Sequence, residues 1–86
     1  MRRSELKEML ENQQEKCWYY YRQHPNLHRD LALWEDYLTI ERANRHKGIH
    51  PPKERARMAI LEKWMVGENT FYKIHRLLRE RCEDVE

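Results

Sequence analysis

Glycine and proline are scarce in this sequence, with two of the first and three of the second among 86 residues. So few turn-forming residues exclude a sandwich or barrel, whose many short strands each need a turn signal. Cysteine is equally sparse. Cys17 and Cys82 are too few for a disulfide framework, and their number suits a reducing cytoplasm. No apolar run approaches the roughly 18 residues that a membrane span requires. Met1-Arg2-Arg3-Ser4-Glu5 leads into charge and not into the apolar core of a secretory signal. The length accommodates one small domain and leaves no room for separate cofactor and substrate modules. What is abundant is charge, at 37% of residues, carried by the Glu, Lys and Arg that favour solvent-exposed helices.

The net charge of +2 hides an uneven distribution. Residues 1–41 carry six Lys/Arg against eight Asp/Glu, and residues 42–81 carry eleven against four. The last five residues add Glu83, Asp84 and Glu86. A stretch of 40 residues with an excess of seven positive charges is an electrostatic footprint suited to nucleic acid. The same charges would also serve simply to solvate helix surfaces.

Hydrophobic spacing predicts an all-α, small four-helix domain: an N-terminal helical hairpin over residues 1–47, packed on a C-terminal unit over 48–82, with an acidic tail at 83–86. The first helix starts at Ser4, whose hydroxyl is placed to cap the free amides. Leu6, Met9, Leu10, Gln13, Cys17 and Tyr20 then form one seam at three- and four-residue steps. Trp18 and Tyr21 are expected in the core and Tyr19 outside. Pro25 ends this helix, because the residue before a proline is driven out of the α region.

Asn26 is placed to cap a second helix with Asp30 in its first turn. Leu27, Leu31, Trp34 and Leu38 form its main stripe, and Leu33, Tyr37 and Ile40 widen it. So broad an apolar surface marks the central helix of the domain. Gly48 is the expected left-handed terminator, and Pro51 or Pro52 opens the third helix. Met58, Ile60, Leu61 and Trp64 are its apolar positions. A fourth helix carries Phe71, Ile74, Leu77 and Leu78 and is expected to fray near Cys82.

The informative segment is Ala59-Ile60-Leu61-Glu62-Lys63-Trp64-Met65-Val66-Gly67-Glu68-Asn69-Thr70-Phe71-Tyr72-Lys73-Ile74. It resembles the helix-turn-helix of bacterial and phage regulators, whose common form reads roughly x-I-A-E-K-L-G-V-S-x-x-T-F-Y-x-I. Ile60, Trp64, Val66, Phe71 and Ile74 fall on the five positions that bury the two helices against each other. Leu61 stands where a small residue is usual, Met65 where the turn glycine is usual, and Gly67 where a serine cap is usual. Two registers follow. Either the common turn is kept, or it is shifted so that Gly67 terminates the third helix and Asn69 caps the fourth.

The T-F-Y-K-I run near the end of a small helical chain is similar to the sigma-region-4-like regulators of phages and prophages, of the ArpU and RinA late-transcription type. That resemblance covers residues 52–82. It implies a transcriptional regulator that binds double-stranded DNA or contacts RNA polymerase. The DNA-binding candidates are Asn69, Thr70, Tyr72, Lys73, His75, Arg76 and Arg79. Side chains near the start of a recognition helix reach base edges, and those further along hold phosphates. The alternative is a small modulator that docks on a host machine such as RNA polymerase or a nuclease without reading DNA. A homodimer through the aromatic N-terminal half is compatible with either function.

Other chemistry is not expected. His24 and His28 stand four apart, as do His46 and His50, but Pro25-Asn26 and Gly48 interrupt the helical geometry that would make such pairs metal ligands. No Ser-His-Asp set, paired-carboxylate motif or Gly-rich phosphate loop is present, so neither catalysis nor a cofactor is predicted.

Overall fold

The structure, a computed structural model, describes residues 1–12 and 26–86. Among them are four helices and no strand: α1 (Arg3–Glu11), α2 (Leu27–Lys47), α3 (Pro52–Trp64) and α4 (Glu68–Arg81). The continuation of the first helix through Gln13, Cys17 and Tyr20, its stop at Pro25, the placement of Trp18, Tyr19 and Tyr21, and His24 lie outside the described residues. No helix among the described residues is long and apolar enough to cross a membrane.

The helix α2 is the hub, touching α1, α3 and α4. Leu27, Leu31, Leu33, Trp34 and Tyr37 are buried along it, and Leu38 and Ile40 pack at the margin of the core. Their wide arc is why one helix can serve three neighbours. Among the described residues the closest packing joins α2 to α3, across the boundary drawn at residue 48. Two side-chain contacts fix these helices as antiparallel. Asn44 Nδ2 donates to the Pro52 carbonyl at 3.2 Å at one end, and Trp64 Nε1 donates to Asp36 Oδ2 at 2.9 Å at the other.

Gly48 ends α2 as its position suggested, with φ of 74°. Its amide reaches the Arg45 carbonyl and that of Ile49 reaches Asn44. This paired pattern satisfies carbonyls that the helix end would otherwise leave open. Asn26 and Pro51 precede α2 and α3.

Several expectations are corrected. The helix α1 begins at Arg3 behind an extended Arg2, and Ser4 lies inside the first turn, where it caps nothing. Asn26 precedes α2 with no side-chain cap hydrogen bond. Met58 is 54% exposed, and the residue that faces α2 in its place is Ala56, with no exposed surface. A methyl side chain there permits the close approach of two helices, and a longer one would be forced outward. Trp64 is half-buried, packed over the core edge and not within it.

The segment after α4 is also packed. Cys82 and Val85 are buried, and the Glu83 amide donates to the Met1 carbonyl at 2.9 Å. Arg3 binds Asp84 twice, through its amide at 3.0 Å and its guanidinium at 3.2 Å, and reaches Glu35 of α2 at 3.0 Å. This network joins the first turn of α1, the middle of α2 and the segment beyond α4, so the acidic tail is a structural element.

Candidate nucleic-acid interface

The turn between α3 and α4 occupies three residues, Met65, Val66 and Gly67. Met65 takes the left-handed conformation itself, with φ of 53° and a side chain 90% exposed. Its amide reaches the Glu62 carbonyl, and the Val66 amide reaches that of Leu61 at 3.1 Å. Gly67 follows in extended conformation, φ −83° and ψ 164°, immediately before the first turn of α4. The shifted register, with Gly67 as terminator and Asn69 as cap, is thereby excluded. Met65 stands where the common motif has glycine and adopts the backbone that glycine would adopt.

Ile60, Phe71 and Ile74 are buried between the helices, while Val66 and Leu61 pack at the margin. Phe71 joins an aromatic cluster on α2. Its ring centroid lies 5.2 Å from Tyr37, edge-on, and 5.8 Å from Trp34. These contacts set how far α4 stands from the hub. Burial raises the Tyr37 hydroxyl above its ordinary pKa, and the nearby Glu41 carboxylate adds to that effect.

The seven candidate side chains do not share one face. Asn69, Lys73 and Arg76 are exposed and follow one another at four- and three-residue steps, which places them along the outside of α4. Thr70 is half-buried on one flank. Tyr72 and Arg79 are exposed, and with His75 they share the other flank. His75 is half-buried and stacks on Trp34, with the rings 4.8 Å apart and 7° from parallel. Its Nε2 pairs with the Glu86 carbonyl, so the ring faces the core margin and the tail.

Arg57 of α3 is the residue that motif reading passed over. Its guanidinium donates to the Tyr72 hydroxyl, lies over the Tyr72 ring at 5.8 Å and reaches Glu68 Oε1 at 3.6 Å. One side chain therefore ties the middle of α3 to the first turn of α4 and orients Tyr72. The groove beside it, about 800 Å³, runs between α2, α3 and α4 and is walled by Arg42, Lys53 and Arg57 with Tyr37 and Phe71 behind them. Glu54 and Glu86 line the same groove, which is therefore mixed in charge.

Positive charge is unevenly engaged. Arg45 is held by Glu41 at 2.5 Å and Lys63 by Asp36 at 2.7 Å. Lys73, Arg76 and Arg79 on α4 form no ion pair among the described residues. The helix that follows the turn thus carries cations available to an external anion, as do Arg42 and Lys47 at the end of α2 and Lys53 and Arg55 at the start of α3.

No family model matches this chain, nor does any curated protein or solved structure compared with it.

Proposed function

We propose that this protein is a DNA-binding transcriptional regulator of the helix-turn-helix type, with α3 and α4 as the motif and α4 as the recognition helix. The observation that carries this reading is the three-residue turn, left-handed at Met65 and extended at Gly67, delivering a helix whose outer face presents Asn69, Lys73 and Arg76. A short turn of this kind between two packed helices is the physical requirement of the motif. An α-helix fits the major groove, where amide and ammonium groups near its start meet base edges. The sigma-region-4-like regulators of phages and prophages are the family this reading favours, on the strength of the T-F-Y-K-I run.

Roles follow from position. Asn69 and Lys73 on the outer face read bases. Tyr72, oriented by Arg57, and Arg79 lie on the flank and hold phosphates. Replacing Lys73 by Ala is expected to weaken the preferred site by roughly 1–3 kcal/mol and random duplex little. Replacing Arg79 by Ala weakens every duplex alike and flattens the salt slope by about one unit. Fluorescence anisotropy on labelled duplexes at two salt concentrations measures both. If wild-type protein binds no duplex at ~50 mM salt and tens of micromolar, where non-specific phosphate contacts register, the DNA reading is wrong. Docking on a host protein such as RNA polymerase then becomes the explanation of the basic surface.

A further inference from the structure

A second hollow lies on the opposite flank of α4 from the Arg57–Tyr72 contact. Its volume is about 370 Å³, and it brings Arg29, from the first turn of α2, beside Thr70, Lys73 and Arg76 of α4. Arg29 stands more than 40 residues before the three α4 side chains, so only the packing of α4 on α2 brings it to them. Arg29 is half-exposed and is steered by its neighbour Asp30, which is buried and accepts from Arg29 Nη2 at 3.1 Å and Nε at 3.3 Å. Lys73 and Arg76 form no ion pair among the described residues. Two carboxylates line the hollow: Asp30, buried and engaged with Arg29, and Glu80, exposed one turn beyond Arg76.

We propose that this hollow is a seat for one phosphodiester of the DNA backbone, with Arg29 as the contact contributed from outside the motif; the proposal rests on the DNA reading above. The guanidinium groups of Arg29 and Arg76 and the hydroxyl of Thr70, beside the base-reading Lys73, match the charge and acceptor geometry of a phosphate oxygen set. A helix lying in the major groove has a sugar-phosphate strand on each side, about 12 Å apart across the groove. Arg57, Tyr72 and Arg79 serve one strand and this hollow serves the other. Asp30 holds Arg29 before DNA arrives, which lowers the ordering cost of the contact. Glu80 opposes the phosphate and limits affinity for every sequence equally.

The test uses the full chain and a labelled random-sequence duplex, titrated at ~50 and ~200 mM salt. Arg29→Gln is expected to weaken binding several-fold at the lower salt and to flatten the log–log salt slope by about one unit. Glu80→Gln, on the exposed surface and away from the core, is expected to tighten binding several-fold and leave the fold unchanged. Glu5→Gln on α1 is the charge-matched control for Glu80→Gln and is expected to leave both binding and fold unchanged. Wild-type binding together with an Arg29→Gln slope equal to wild type, or with Glu80→Gln no tighter than Glu5→Gln, overturns the phosphate seat and leaves the DNA reading standing. Absence of wild-type binding overturns both. Circular dichroism checks that Arg29→Gln folds; if it does not, the Glu80→Gln comparison decides.

Discussion

Trp64 and Asp36 meet across the α2–α3 pair, the indole Nε1 donating to Oδ2 at 2.9 Å, and Lys63 reaches that same oxygen at 2.7 Å. The expected hydrophobic anchor is therefore amphipathic in its use. Its ring covers the margin of the core, and its N–H joins a charged contact at the surface end of the hairpin.

This relationship predicts a graded response at Trp64. Trp64→Phe keeps most of the ring contact and loses the donor, so it is expected to destabilise by about 1 kcal/mol, as one partly exposed charge-assisted hydrogen bond does. Trp64→Ala loses the ring as well. Because the side chain is only half-buried, its loss should fall below the 3–5 kcal/mol of a fully buried aromatic. Urea denaturation of the two variants beside wild type measures the ladder. Equal loss in both would mean that the hydrogen bond carries the whole effect.

Acid sensitivity follows from two carboxylates. The hydrogen bonds from Lys63 and then Trp64 hold Asp36 below the ordinary range. Burial alone would raise Asp84, but the amide and guanidinium of Arg3 outweigh it and hold that group low as well. A depressed folded-state pKa gives stability that is fully present above the unfolded value, about 3.9 for aspartate, and lost as pH falls through the folded value. Stability should therefore be level from neutral pH down to about 5 on account of these groups, then fall below it. Asp36→Asn and Asp84→Asn should each lower stability at neutral pH and make the acid limb shallower, as thermal melts across that range would record.

Met65 is expected to be a stabilising position when changed. Its left-handed backbone strains any residue with a Cβ, and its side chain is 90% exposed, so little packing is lost on removal. Met65→Gly should raise stability by roughly 0.5–1 kcal/mol, the relief of strain exceeding the added entropy of the unfolded chain. A shift of the urea midpoint to higher concentration with an unchanged slope is the expected record. A loss of stability would show that the turn is held by something other than its backbone conformation.

Cys82 should report on the tail. Its thiol is buried and its pKa is raised by that burial first, with the Asp84 carboxylate adding to the shift. Both effects suppress the reactive thiolate. Alkylation at Cys82, followed site by site with mass spectrometry, is expected to be slow in the native protein and fast in denaturant. Asp84→Asn, which weakens the Arg3 contact, should speed it under native conditions. Rapid native labelling would contradict the packing of residues 82–85.

The α2–α3–α4 helix order, the left-handed stop at Gly48 and the buried stripe of α2 were legible from residue spacing alone. Large apolar side chains at helical intervals leave few ways to hide, and a glycine at a helix end has a local backbone reason to be there. The phase of α3 was not legible. Met58 and Trp64 look like core on hydrophobicity, yet the buried residues of α3 are Ala56 and Ile60, and a small residue such as Ala56 is one that periodicity undervalues. The turn register was open for the same kind of reason. Sequence offered glycine at 67 and methionine at 65, and the left-handed bend falls on methionine in the fold that sets Phe71 against Trp34 and Tyr37. Of the candidate interface, spacing put Asn69, Lys73 and Arg76 on the outside of one helix. The placement of Arg57, Arg29 and His75 depended on neighbours distant in the chain, and the burial of Val85 and Cys82 depended on Met1 and Arg3. Local chemistry fixed which segments are helices; long-range packing decided which sides face in and which cations remain free.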